Sequence, residues 1–131
     1  MMSAVAVAVV AAAGVFLAIL GVAALVRPRW VARFLLGFAA SGARHGLELA
    51  CRVAVGAALI RAAPGMAGAA VIAAAGWILL GTTAVLLCVP WRVHRAFAQR
   101  TVPRALAFLP AIGVASIAAG AGLLWALLRA P

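Results

Sequence analysis

Acidic residues are almost absent from this sequence: Glu48 is the single carboxylate among 131 residues, and aspartate does not occur. Two histidines and two cysteines are the other candidates for chemistry. Acid–base catalysis, nucleophilic catalysis and metal binding each need several polar groups that converge on one point. The sequence shows no phosphate-binding glycine loop, no zinc-ligand spacing and no Ser–His–Asp set. We therefore predict that the protein is not an enzyme and holds no metal or cofactor.

Positive charge comes from arginine alone. Eleven arginines and no lysine give a formal net charge of +10, while 69% of the residues are hydrophobic. A small soluble domain leaves much of its surface in water and cannot hide that much apolar side chain. The arginines lie between apolar runs instead of forming a patch that would bind nucleic acid. We expect the lipid bilayer, and not nucleic acid, to be the partner.

Four apolar runs are long enough to cross a bilayer, which takes about 20 residues. They cover residues 4–26, 44–62, 68–89 and 105–128, and prolines at positions 28, 64, 90 and 103 separate or flank them. In hydrocarbon an open chain can satisfy its backbone only as helices. The first run lacks a basic leader and is longer than the apolar part of a signal peptide, which favours a retained helix. We predict an all-α integral membrane four-helix bundle, with residues 1–131 as a single membrane domain.

Two arginine-rich connections set the expected orientation. They carry Arg27, Arg29, Arg33 and Arg44 after the first run, and Arg92, Arg95, Arg100 and Arg104 after the third. On the opposite side only Arg61 and Arg129 lie near the surface. Cytoplasmic loops are enriched in arginine, so both connections are expected inside and both termini outside the cytoplasm. The arginine- and alanine-rich composition is associated with GC-rich bacterial genomes, which suggests a bacterial inner membrane.

The same two connections are predicted to form short amphipathic helices at the cytoplasmic surface. In the first, Trp30, Phe34 and Phe38 recur every four residues. The arginines on the opposite sides of the two helices are Arg29, Arg33, Arg92 and Arg95. Arginines in this position contact anionic lipid phosphates. They either recognise anionic lipid or only anchor the topology, and anchoring is the more common role.

An internal repeat relates the two halves of the chain. Residues 14–33 align without gaps on residues 76–95, and residues 58–62 correspond to residues 126–130. Each half contains two predicted spans, so the hairpins 1–64 and 65–131 have the same orientation and form a tandem parallel repeat.

The hairpin has a recognisable order of residues. A glycine-containing first span ends in a proline, a Trp/Arg cluster follows, and a second span carries arginine and then glycine. In the first half these residues are Pro28, Trp30, Arg33, Arg52 and Gly56. This pattern resembles small bacterial inner-membrane proteins of uncharacterised families, and the resemblance implies no known activity. The second half departs from it, because Ser116 or Gly120, depending on the register, stands in place of the charge.

The second apolar run carries the one carboxylate. If a helix begins near Arg44, Glu48 lies about 6 Å and Arg52 about 12 Å along it. Arg52 then approaches the middle of the bilayer, where an arginine costs about 2.5–3.5 kcal/mol. Glu48 precedes it by four residues, the favourable order for an ion pair within a helix. We predict an intramembrane charged pair of Glu48 and Arg52, extended by Arg44 and with His45 alongside.

Two interpretations of this pair remain open. In the structural one, the pair neutralises Arg52 and fixes the rotation of the helix. In the functional one, Arg52 binds an anion or a lipid head group, or Glu48 relays a proton with His45, since ionisable residues within the membrane are functional candidates.

Two packing features accompany these motifs. Small residues four apart, such as Ala118 and Gly122 or Ser116 and Gly120, permit close helix contact. Trp77 lies well inside the third run. We expect the small residues to pack within the chain, and Trp77 to pack instead of lying at the membrane interface.

Two classes of function fit the sequence. The first is a small accessory or structural membrane protein that packs in a homo-oligomer or a larger membrane complex. The alternative is a small-solute or anion transporter or channel in which Arg52 and Glu48 line the path. Polar residues are too few to line such a path well, which favours the accessory role.

Overall fold

The computed structural model describes residues 3–130, and every regular element in that part of the chain is a helix. Six α-helices follow one another: α1 (Ala4–Val26), α2 (Pro28–Phe38), α3 (Gly42–Ala62), α4 (Ala69–Leu87), α5 (Trp91–Ala105) and α6 (Leu109–Leu128). Short 3-10 turns, Ala63–Gly65 and Leu106–Phe108, lie between α3 and α4 and between α5 and α6. The predicted all-helical class is confirmed.

Three helical stretches in the described part of the chain are long and apolar enough to cross a membrane. They are α1, α4 and the 38-residue stretch Trp91–Leu128, which contains α5 and α6. Helices of this length and hydropathy are those of a membrane protein. Helix α3 is not among the three, because Glu48, Arg52 and Arg61 interrupt its apolar sequence.

The break before the last helix lies beyond Pro103, the proline that flanks the fourth apolar run. Pro103 lies inside α5, and the α-helical pattern is interrupted only at Leu106–Phe108. The cause is Pro110, which has no N–H to donate to the carbonyl of Leu106. The N–H of Leu109 donates to that carbonyl instead and closes a tighter turn. Pro110 then lies in the first turn of α6, where a proline is tolerated.

Helices α1 and α6 pack antiparallel through two pairs of glycines, Gly14 with Gly120 and Gly21 with Gly113. A Cβ atom on Gly120 would lie 2.5 Å from the carbonyl oxygen of Gly14, and one on Gly21 would lie 2.5 Å from that of Gly113. The glycines of each helix are seven residues apart, which places them two turns apart on one face. The two backbones therefore touch, and no larger residue fits at these points.

A similar contact joins α3 to α4. A Cβ atom on Gly76 would lie 2.9 Å from the carbonyl oxygen of Gly56. Helix α3 also packs on α1. The core between them includes Val10, Leu59 and Ala62, and Met66, which follows α3, is buried in the same cluster. The neighbours therefore follow the order α4, α3, α1, α6.

Helix α4 lies at one end of this row and packs mainly on α3. On the outer face of α4, Trp77 is 63% exposed. Ile78 and Val85 of the same helix are exposed as well. Among residues 3–130 no second helix covers that face of α4, so the predicted packing of Trp77 is not formed within the described part of the chain.

Candidate functional site

Helices α2 and α5 lie against each other at the arginine-rich end of the molecule. Phe34 stacks on Trp30 at 5.5 Å between ring centroids and meets Phe38 edge-on at 5.1 Å, so the aromatic residues form one continuous row. The four arginines expected to contact lipid, Arg29, Arg33, Arg92 and Arg95, are all exposed. The guanidinium group of Arg92 lies over the ring of Trp91, with Cζ 5.7 Å from the ring centroid.

Part of the candidate site lies in the first two turns of α3. The hydroxyl of Ser41 accepts a hydrogen bond from the backbone N–H of Arg44 and caps the helix. One turn on, the spacing of α3 places His45 and Glu48 on the same face. His45 is 6% exposed, and the side chain of Glu48 is 22% exposed. Both therefore face protein.

His94 of α5 completes a cluster with these two residues, which we call the histidine–glutamate cluster (His45, Glu48 and His94). The imidazole rings lie 4.7 Å apart between centroids. One carboxylate oxygen, Oε2 of Glu48, lies 3.6 Å from His94 Nε2 and 3.9 Å from His45 Nδ1. Both distances exceed the usual length of a hydrogen bond. Glu48 Oε2 and His45 Nδ1 are buried and have no hydrogen-bond partner among residues 3–130.

Arg52 turns away from this cluster towards α4. Its Nε donates to Thr83 Oγ1 at 3.0 Å, and its Nη2 donates to Thr82 Oγ1 at 2.8 Å. A threonine hydroxyl has one proton and two lone pairs. Each hydroxyl gives its proton to α4 itself: Thr83 donates to the carbonyl of Leu79, and Thr82 shares its proton between the carbonyls of Ile78 and Leu79. Only lone pairs are left to face the guanidinium, which makes the pair of threonines a fitted acceptor for Arg52.

The expected ion pair of Glu48 and Arg52 is therefore not formed. Among the described residues, no nitrogen of Arg52 or Arg44 lies within 4.0 Å of the Glu48 carboxylate. The two charged groups face different neighbouring helices. Arg52 is hydrogen-bonded to threonine oxygens on α4, whereas the carboxylate of Glu48 lies beside His94 of α5. Only the placement of His45 beside Glu48 agrees with the expected ladder.

Three residues of this region were missed by sequence reasoning, namely Thr82, Thr83 and His94. The adjacent threonines carried a usable signal, since they are the only hydroxyl pair inside an apolar run. His94 carried none, because its position depends on how α5 lies against α3.

Two cavities of the molecule are lined mainly by apolar residues. One of about 150 Å³ lies between α1, α2, α5 and α6, and Ser116 is the single polar residue in its lining. A wider groove of about 470 Å³ runs along the outer face of α1, from Ala18 to Trp30. Neither cavity reaches Arg52 or Glu48, and each has one polar residue in its lining, Ser116 in the smaller cavity and Arg27 in the groove.

No protein-family model matches the chain, and neither a curated protein nor a solved structure is significantly similar to it. The function therefore has to be argued from the chain's own geometry.

Proposed function

We propose that the chain is a four-span membrane protein in which α3 is the fourth span. Three observations support this. Helix α3 has 21 residues and is about 31 Å long, close to the thickness of the hydrocarbon core. It packs between α1 and α4, both of which are apolar enough to span. Its charged side chains are also accommodated, since Arg44 and Arg61 are exposed near its two ends and Arg52 is hydrogen-bonded to α4.

The proposed topology follows the arginines. Helices α2 and α5 and the start of α3 carry seven of them at one end, and Arg27 lies just before α2. We assign that end to the cytoplasm of a bacterial inner membrane. Both termini then lie outside the cytoplasm.

The proposed tandem repeat gains support from the glycine contacts. Gly76 follows Gly14 by 62 residues, and both make a backbone contact with a glycine of the partner helix. The partners, Gly56 and Gly120, are 64 residues apart. The pairs α1–α6 and α4–α3 thus use equivalent positions. On this register Ser116 is the counterpart of Arg52.

We propose an accessory or structural role, in which the protein packs in a homo-oligomer or a larger membrane complex. The observation that carries this proposal is the bonding of Arg52 to Thr82 and Thr83. An arginine that lines a transport path must be able to release one ligand and bind another. Arg52 is instead hydrogen-bonded to two neutral hydroxyls, which donate their own protons to backbone carbonyls of α4. The uncovered face of α4 around Trp77 supports an association through that helix.

The experiment is native mass spectrometry of the protein, carrying a tag without histidine, extracted in mild detergent from its own membranes. A different protein bound at fixed stoichiometry, or a defined homo-oligomer that Trp77→Ala dissociates, supports the accessory role. The transporter alternative predicts solute flux in proteoliposomes that Arg52→Leu abolishes while expression and assembly stay unchanged. Such flux would overturn the proposal.

A further inference from the structure

We propose that the histidine–glutamate cluster binds one divalent transition-metal ion of the Zn²⁺ class. This is a different inference from the accessory role, because it rests on the geometry of three side chains and holds whichever complex the protein joins. The sequence predicted no metal, since two histidines 49 residues apart and one glutamate show no ligand spacing. The fold brings these three residues together.

The distances between the ligand atoms fit a metal ion better than they fit hydrogen bonds. Zinc binds imidazole nitrogen and carboxylate oxygen at about 2.0–2.2 Å, so two ligands of a tetrahedral ion lie about 3.4 Å apart. Glu48 Oε2 is 3.6 Å from His94 Nε2 and 3.9 Å from His45 Nδ1. One ligand atom from each residue lies within 4.8 Å of the other two. Shifts of a few tenths of an ångström to about one ångström would bring all three to an ion.

Burial gives a second, independent argument. Glu48 Oε2 and His45 Nδ1 are buried and lack a hydrogen-bond partner in the part of the chain that the structure describes. Buried polar atoms are nearly always bonded, and each exception needs an explanation. A shared cation would supply the missing partner of both atoms at once.

The donor set selects the class of metal. Two imidazole nitrogens and one carboxylate suit zinc and neighbouring transition metals, in which three protein ligands leave one position open. Calcium takes six to eight oxygen ligands, and magnesium strongly prefers oxygen, so neither fits two histidines and one carboxylate. His45 and Glu48 have the i,i+3 spacing that metal sites inside helical bundles use, although there the order is Glu-x-x-His.

The site would join two helices that have little else between them. His45 and Glu48 belong to α3, whereas His94 belongs to the first turn of the arginine-rich helix α5. The ion would therefore fasten the amphipathic surface helix to the proposed fourth span. Its open position would take water or another small ligand at the arginine-rich end.

The test measures metal binding directly. Full-length protein with a tag that contains no histidine is purified in detergent, stripped with a chelator, and titrated with Zn²⁺ and with Co²⁺, whose visible absorption reports tetrahedral coordination. We expect one ion per chain and a tetrahedral Co²⁺ spectrum. His94→Gln and Glu48→Gln should each weaken binding by more than about 100-fold, because even residues that only support metal ligands cost 10–100-fold. The double variant Cys51→Ala/Cys88→Ala is the matched control and should bind like the wild type.

A second measurement keeps the proposal falsifiable if a variant folds poorly. Thermal unfolding of the wild type should move to higher temperature as Zn²⁺ is added, because an ion that binds only the folded state stabilises it. His94→Gln with wild-type helicity should show no such shift. The proposal is overturned if the stripped wild type binds no Zn²⁺, if both substitutions leave the affinity unchanged, or if binding is lost with the cysteines. A cluster that only shares protons would give the first of these results.

Discussion

Arg52 and Thr83 are joined by a hydrogen bond of 3.0 Å from the guanidinium Nε to the hydroxyl Oγ1, across the interface of α3 and α4. Thr83 is 1% exposed, so the acceptor is buried although the arginine is only partly so. The bond explains how an apolar helix pair keeps an arginine without the carboxylate that the sequence seemed to offer.

Removal of both hydroxyls should therefore destabilise the protein. The variant Thr82→Val/Thr83→Val leaves the Arg52 guanidinium without its acceptors, and a hydrogen bond to a charged group contributes about 1.5–3 kcal/mol. We expect a loss in that range per bond in the free energy of unfolding, measured in mixtures of SDS and a mild detergent. Thr82→Ser/Thr83→Ser should retain most of the stability.

The same valine substitutions should cost much less in an Arg52→Leu background, because no charge is then left without a partner. Thr101→Val, at an exposed position of α5, serves as a control that changes a threonine without touching Arg52. Equal losses in both backgrounds would show that the hydroxyls act on α4 alone.

The contact of α1 with α6 should tolerate no side chain at Gly120. An alanine Cβ there would lie 2.5 Å from the backbone oxygen of Gly14, which cannot move aside as a side chain can. Overpacking of this kind costs about 1–3 kcal/mol. Gly122→Ala is the matched control two residues further along α6, where a Cβ meets nothing within 4 Å. Similar effects of the two substitutions on unfolding in SDS would contradict the contact.

The corresponding test for α3 and α4 uses Gly76→Ala, with Gly81→Ala as the control on the same helix. A Cβ at Gly76 would lie 2.8 Å from Ile60 Cγ1 and 2.9 Å from the carbonyl oxygen of Gly56, whereas Gly81 is open. We expect Gly76→Ala to destabilise the protein and Gly81→Ala to leave it unchanged or slightly more stable. Destabilisation by Gly81→Ala alone would contradict the packing of these helices.

Retention of anionic lipid should depend on one end of the molecule. Each arginine near an anionic membrane surface contributes about 1 kcal/mol. The variant has glutamine at four exposed positions: Arg29→Gln, Arg33→Gln, Arg92→Gln and Arg95→Gln. In native mass spectra it should retain less phosphatidylglycerol than the wild type does. Arg61→Gln/Arg129→Gln changes the opposite end and should retain as much as the wild type; an equal loss there would contradict specific contacts.

The helical class could be predicted because it depends on local sequence. Apolar runs of about 20 residues bounded by prolines leave the chain no other way to satisfy its backbone in lipid. The arginines also mark one end of the molecule without any knowledge of packing. For the same reason, the fourth apolar run, residues 105–128, could be predicted to span. The continuation of the helical stretch back to Trp91 and the exact position of its break at Leu106–Phe108 could not be predicted.

The partners of the charged residues could not be predicted in this way. The pairing of Glu48 with Arg52 treated α3 as an isolated helix, in which a neighbour four residues away is the nearest partner. In the fold, Arg52 finds hydroxyls on α4 about 30 residues later, and Glu48 meets His94 on α5. Such contacts depend on the rotation and order of whole helices. The exposure of Trp77 likewise depends on which helices lie beside α4.

The most direct test of the account is whether α3 crosses the membrane, since both the proposed topology and the placement of Arg52 depend on it. In a Cys51→Ala/Cys88→Ala background, Ala40→Cys and Pro64→Cys place single thiols at exposed positions just before and just after α3. A membrane-impermeant maleimide added to intact spheroplasts should label Pro64→Cys at once and Ala40→Cys only after permeabilisation. Labelling of both from the same side would show that α3 does not span and would contradict the account.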